Sequence, residues 1–181
     1  MRAPDPDALV AAFAYVPYDL TAGIVLGPPS PPWPPLTILT AMFVHASAVH
    51  VALNLLFFLA VAPAIEAACG HGRFLALYLF AGTCAALAQI ALSPHSHLPV
   101  IGASGAIAGI MGAYLVSYPR ARVVFGLPAI VVIGAWALAQ FTSGLASITA
   151  GAASTPGTAY AAHAGGFCAG VLAIGLFKKR T

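Results

Sequence analysis

The sequence predicts an all-α, polytopic membrane bundle, and three observations carry that expectation. Hydrophobic residues make up 61% of the 181 and charged residues 6%, where soluble domains carry roughly 25% charged residues. Apolar stretches of helix length recur along the chain, broken by short polar or glycine- and proline-rich segments. Six of the seven basic residues (Arg73, Arg120, Arg122, Lys178, Lys179, Arg180) follow the first, third and fifth of these stretches. That one-sided distribution sets an orientation in a bilayer with those ends inside. It also excludes a nucleic-acid surface, since the net charge of +3 is scattered over segment ends. The length suits one bundle with no second soluble domain. Cys69, Cys84 and Cys168 have unrelated spacings, which excludes a disulfide framework or zinc pair. The N-terminus shows no secretory signal with a small-residue cleavage site.

Residues 1–35 read as an N-terminal interfacial or loop segment. Positions 8–27 are apolar but contain Pro17 and Asp19. A charged Asp at the centre of a span costs at least ~2.5 kcal/mol, so a loop or tilted interfacial helix is expected there. Gly27 to Pro35 is too proline-rich for a regular helix. Residues 36–177 form the expected transmembrane domain. Within it the apolar run opens at Leu36, the first helix starts near Ser47 as N-cap, and it ends near Gly70. Further spans are expected over 73–92, 103–118, 123–143 and 159–177, with Pro128 kinking or offsetting the fourth. Residues 178–181 form a basic cytoplasmic tail. The connection 144–158, rich in Gly, Ala, Ser and Thr, is expected to be mobile.

Ser104 begins the third span and His163 lies at the start of the fifth. Each stands about fifteen residues from its basic anchor, so both lie ~22 Å above it, at one depth. His50 and Asn54, at i and i+4, share a face of the first helix, and Asn54 reaches the same level. Polar side chains are costly inside a bilayer, so four at one level imply a shared function rather than interhelical hydrogen bonding alone. Gly105 and Gly109 form a G-x-x-x-G step just below Ser104, and Gly166 and Gly170 form another below His163. Such steps let two helix backbones approach closely. Gly102 precedes the serine.

The acids decide the reaction type. Asp5, Asp7 and Asp19 precede the bundle and Glu66 lies toward the cytoplasmic end of the first span. None is placed to orient His163, so serine chemistry here requires a Ser–His dyad. The inventory excludes a facing pair of aspartates and an H-E-x-x-H zinc site, so no metal or cofactor is expected. His163 takes the proton from Ser104. The Ser104 backbone N–H at a helix N-terminus, with the side chains of Asn54 and His50, forms the oxyanion hole. His95 and His97 read as a polar external loop, Cys168 as a small hydrophobe, and Tyr18, Trp33 and Tyr160 as an interfacial belt. Trp136 and Gln140, which share a helical face, read as packing.

Three motifs carry a family resemblance: His45-Ala-Ser-Ala-Val-His50-Val-Ala-Leu-Asn54, Gly102-Ala-Ser104-Gly105, and Ala162-His163-Ala-Gly-Gly166 with Gly170 following. In this order and spacing they resemble the rhomboid family of intramembrane serine proteases over residues 36–177. The resemblance implies Ser104 as nucleophile, His163 as base, and His50 and Asn54 in the oxyanion hole. It implies transmembrane protein substrates, cut near the outer face and often at small residues, in a lipid bilayer that compact size points to as a bacterial inner membrane. Glu66 resembles a family glutamate that orders the cytoplasmic end. Two features depart from the pattern. No membrane helix is read before the proline-rich stretch in this sequence, which is either naturally short or truncated; if it has five spans, the N-terminus is expected outside. Ala108 stands where many members place an aromatic against the base, which leaves His163 less constrained. These departures keep open a non-catalytic rhomboid-like protein that binds transmembrane segments. A transporter using the polar layer is a further alternative, against which the chain shows no internal repeat.

Overall fold

The computed structural model describes residues 6–24, 33–123, 126–149 and 159–179. Eight α-helices occur among them: α1 (Pro6–Phe13), α2 (Pro17–Ala22), α3 (Thr37–Thr40), α4 (Ala48–Cys69), α5 (His71–Leu92), α6 (Ser104–Ser117), α7 (Ala129–Thr149) and α8 (Tyr160–Phe177). The expected all-helical bundle is what forms.

Local chemistry sets most boundaries. Ser47 caps α4, its hydroxyl accepting the His50 N–H at 3.1 Å. Gly70, with φ of 83°, ends α4 and leads straight into α5. Among the described residues, four helices (α4, α5, α7 and α8) are long and apolar enough to cross a membrane. The third expected span, α6, has 14 residues. At 1.5 Å per residue it covers ~21 Å, short of ~30 Å of hydrocarbon. The five spans of the sequence reading are therefore four long helices around a short central one, and Gly105 through Tyr114 of that helix are all buried.

The fourth helix departs from its expected start, running from 129 rather than 123. Arg122 and Pro128 form an antiparallel bridge, the Val123 N–H bonds the Leu127 carbonyl at 2.9 Å, and Arg122 donates to the Gly126 carbonyl at 2.8 Å. This closed turn uses the residues expected to begin the helix, and Pro128 then accepts from Val131 at 3.0 Å to start it. The helix continues to Thr149, so the first part of the expected 144–158 connection is helical. The rest, with its expected mobility, lies outside the described residues.

The closest packing joins α5, α6 and α8. A Cβ on Gly105 would lie 2.7 Å from the Ala85 Cβ, and one on Gly109 would lie 2.9 Å from the Gly166 carbonyl oxygen. On Gly166 and Gly170 it would overlap the carbonyls of Gly105 and Gly109. The two G-x-x-x-G steps thus face each other, backbone against backbone. The helix α4 lies against α6, and α7 against α8. Their outer faces leave Leu55, Leu56 and Leu59, and Ile130, Leu138 and Leu145, exposed. Such apolar faces suit hydrocarbon as solvent, and the protein is an integral membrane protein.

The two ends differ. At the basic end, Glu66 pairs with His71 at 2.7 Å, Arg73 donates to the Lys178 carbonyl at 3.1 Å, and the Lys179 N–H bonds the Ala68 carbonyl at 3.1 Å. Lys178 lies over the Tyr118 ring beyond α6. At the other end, α1 and α2 dock on the 93–100 loop. Tyr15 and Val100 exchange backbone bonds, Tyr18 donates its N–H to the Ser96 carbonyl at 3.0 Å, and Thr21 donates to the Pro94 carbonyl at 2.9 Å. His97 packs its ring on Tyr18, centroids 4.1 Å apart. Thr40 of α3 donates to the Phe13 carbonyl at 2.9 Å. The boundary expected at residue 35 falls inside a continuous helical stretch, Pro34–Phe43.

Candidate active site

Ser104 is the first residue of α6, and His163 lies about one turn into α8. The glycine contacts between these helices bring the two side chains together: Ser104 Oγ is 2.8 Å from His163 Nε2. That is hydrogen-bond and proton-transfer distance. Both line a cavity of about 730 Å³ with His50, Asn54, Gln89 and Trp136.

The approach to the serine depends on Gly102. Its φ is 109°, a conformation that side chains disfavour. A Cβ there would lie 2.9 Å from the His50 ring and 3.9 Å from Ser104 Oγ. Glycine therefore lets the His50 imidazole sit beside Ser104. The Gly102 N–H bonds the Ala41 carbonyl at 2.8 Å, which ties the segment before Ser104 to the Pro34–Phe43 stretch.

His50 and Asn54 line the cavity from α4. Asn54 Nδ2 donates to the His50 carbonyl at 3.0 Å. An amide carries two N–H bonds, so this leaves a second for the cavity. His45 packs edge-on to His50, centroids 5.0 Å apart, and its Nε2 accepts the Ala103 N–H at 3.4 Å. Burial, then the neighbouring His50, lowers the His45 pKa below its ordinary value, against a smaller upward effect of a backbone bond at Phe43. The neutral ring is the form that accepts this bond.

Three residues were missed or misread in the sequence. Gln140, read as packing, places Oε1 2.7 Å from His163 Nδ1. Trp136, also read as packing, faces the His163 ring with centroids 5.9 Å apart and planes tilted by 37°. The gap expected from Ala108, which is fully buried, is thus offset by a ring and an amide from α7. The signal was available: an amide within an apolar span has the same cost that singled out Asn54. The third, Gln89 on α5, accepts the Ala162 N–H at 3.3 Å and so satisfies a free donor at the start of α8.

The comparisons with known proteins agree with this architecture. The family model for the rhomboid domain matches residues 32–180. The chain belongs to the rhomboid family. Among relatives, this rhomboid is 42% identical over 78 residues to "Rhomboid protease GluP" of Bacillus subtilis, covering 43% of this chain and 15% of that protein. It is 30% identical over 145 residues to "Rhomboid protein 1, mitochondrial" of Saccharomyces cerevisiae, covering 76% of this chain and 40% of that one. The chain thus spans less than half the length of these relatives. No solved structure matches. The family and its protease-named members support intramembrane proteolysis at the level of the family.

Proposed function

We propose that this rhomboid is an intramembrane serine endopeptidase that hydrolyses peptide bonds in or near transmembrane segments of other proteins. The observation that carries the reading is the 2.8 Å contact between Ser104 Oγ and His163 Nε2. Ser104 attacks the scissile carbonyl carbon while its proton passes to Nε2. The oxygen gains negative charge, and the Ser104 backbone N–H, Asn54 and His50 stabilise it. Collapse breaks the C–N bond, and the proton on Nε2 goes to the leaving amine. Water then attacks the acyl-serine, giving its proton to His163, and the carboxylic acid product leaves with Ser104 restored. Ala46, Ser96 and Leu98, at the end opposite the basic residues, line the cavity, so on this reading water enters from that side. By the positive-inside rule that side is the outer face, in a bacterial inner membrane on this reading.

The packed pair also weighs against a non-catalytic holder of transmembrane segments. A binding protein has no use for a hydroxyl and an imidazole held at proton-transfer distance. The test is cleavage of a transmembrane segment flanked by two soluble reporter domains, co-reconstituted with the protein in liposomes. The parent should release a fragment, Ser104→Ala and His163→Ala should not, and EDTA should have no effect. Cleavage that survives Ser104→Ala would overturn the reading.

A further inference from the structure

We propose that Gln140 is a positioning residue for His163, holding the base in the one tautomer that can accept the serine proton. The inference rests on the serine chemistry proposed above and adds a third group to its two. A neutral imidazole carries one proton on one of two nitrogens. Nε2 faces Ser104 Oγ at 2.8 Å and must present a lone pair to accept that proton. The proton of the resting ring must then sit on Nδ1. Gln140 Oε1 lies 2.7 Å from Nδ1, and an amide oxygen only accepts. It stabilises Nδ1–H and disfavours the opposite tautomer.

Orientation comes from the same helix. Trp136 and Gln140 stand at i and i+4 on α7. The indole packs beside the His163 ring, tilted by 37° with centroids 5.9 Å apart, while the amide meets its Nδ1 edge. From α6, Ala108 supplies no ring to constrain it. One aromatic contact and one hydrogen bond fix both the plane of the imidazole and its rotation within that plane.

An amide suits the surroundings. In a triad the third group sets the tautomer, orients the ring and stabilises the imidazolium through its charge. A carboxylate within a membrane span is costly. Gln140 keeps the first two roles and leaves out the third, so no ion is buried in the resting state. Glu66 pairs with His71 at the far end of the bundle, and both ring nitrogens of His163 are already occupied by Ser104 and Gln140.

The test uses the purified full chain in detergent, with a fluorophosphonate probe for labelling rate and a transmembrane reporter for kcat and KM. Gln140→Leu keeps the volume and removes the acceptor. Gln140→Glu keeps an acceptor at the same reach. Gln140→Leu should label and cleave about 10- to 100-fold more slowly, through kcat, with KM changed less than about twofold. Gln140→Glu should stay within about threefold of the parent. The ¹⁵N spectrum of labelled histidine in the parent, assigned by loss of the signal in His163→Asn, should show the proton on Nδ1, which needs no Gln140 variant to fold. The proposal is overturned if His163 carries its proton on Nε2. It is also overturned if the parent labels while Gln140→Leu keeps the parental rate, or if Gln140→Glu is as slow as Gln140→Leu. A parent that never labels, like Ser104→Ala, would remove the serine chemistry itself and this role with it.

Discussion

The three inner helices and the two flanking ones are built differently. Between α6 and α8 the backbones touch, and the contact is made by glycines: Gly105 and Gly109 against Gly166 and Gly170. The flanking helices α4 and α7 attach through side chains and leave rows of leucine and isoleucine facing outward. The reagents follow this division. The proposed nucleophile and base, Ser104 and His163, stand on the inner helices, and the groups proposed to assist them (His50 and Asn54, Trp136 and Gln140) come from the flanking ones. The Ser104–His163 pair is set by close backbone contact, where an added Cβ would overlap the facing helix. The assisting groups are set by side-chain reach, which allows smaller adjustments.

This contrast predicts opposite sensitivities. The largest effect belongs to Asn54→Ala on α4, which removes a proposed oxyanion donor. The rate of reporter cleavage should fall about 10²- to 10³-fold in kcat, with the thermal midpoint nearly unchanged. Equal losses of activity and stability would show α4 to be as integral to the packing as the inner helices.

Next comes Gly170→Ala, whose added methyl would overlap the Gly109 carbonyl. Overpacking of this kind costs about 1–3 kcal/mol, and the shift of α8 should slow cleavage as well. The matched control is Gly134→Ala on α7, where a Cβ would meet nothing within 4 Å. That change should be neutral or stabilising by up to about 1 kcal/mol. Detergent melting curves of the two variants measure the difference directly, and similar shifts in both would erase the distinction between inner and flanking helices.

A smaller effect is expected at the start of α4. Ser47→Ala removes the acceptor for the His50 N–H and should cost about 1 kcal/mol. Ser47→Asp should restore it. The smallest effect is the pH dependence of His45. Its pKa is lowered in the folded protein, so the folded state resists taking up the proton. The stability this ring contributes is present above the ordinary imidazole value of 6.5 and is lost as the pH falls through the lowered one. His45→Gln should therefore flatten part of the acid-side decline in thermal midpoint.

The same division explains what was legible in the sequence. The inner contact was readable because close approach needs glycine at fixed spacing, and the two G-x-x-x-G steps stand beside Ser104 and His163. The limits of α4 were readable from Ser47 and Gly70, whose cap and turn roles are local. The α7 register was not. Its apolar run extends across the turn that Arg122, Val123, Leu127 and Pro128 close, and composition alone does not show a hydrogen-bonded turn. Gln140 was visible as a polar residue in an apolar span, but its partner is 23 residues away on another helix. Only the crossing of α7 over α8 reveals that the amide meets His163. The shortness of α6 was obscured because apolar residues flank it on both sides. Pro17 and Asp19 marked the N-terminal segment as unlike a membrane span, whereas its docking on the 93–100 loop rests on backbone bonds that carry no sequence signature.

The central claim is that Ser104 is activated by His163 across the α6–α8 contact. Treatment of the purified protein with a fluorophosphonate, followed by peptide mass spectrometry, tests it most directly. The account predicts one phosphonyl adduct, on Ser104, that disappears in His163→Ala although that variant remains folded. An adduct on another residue, or one on Ser104 that forms at the parental rate without His163, would contradict it.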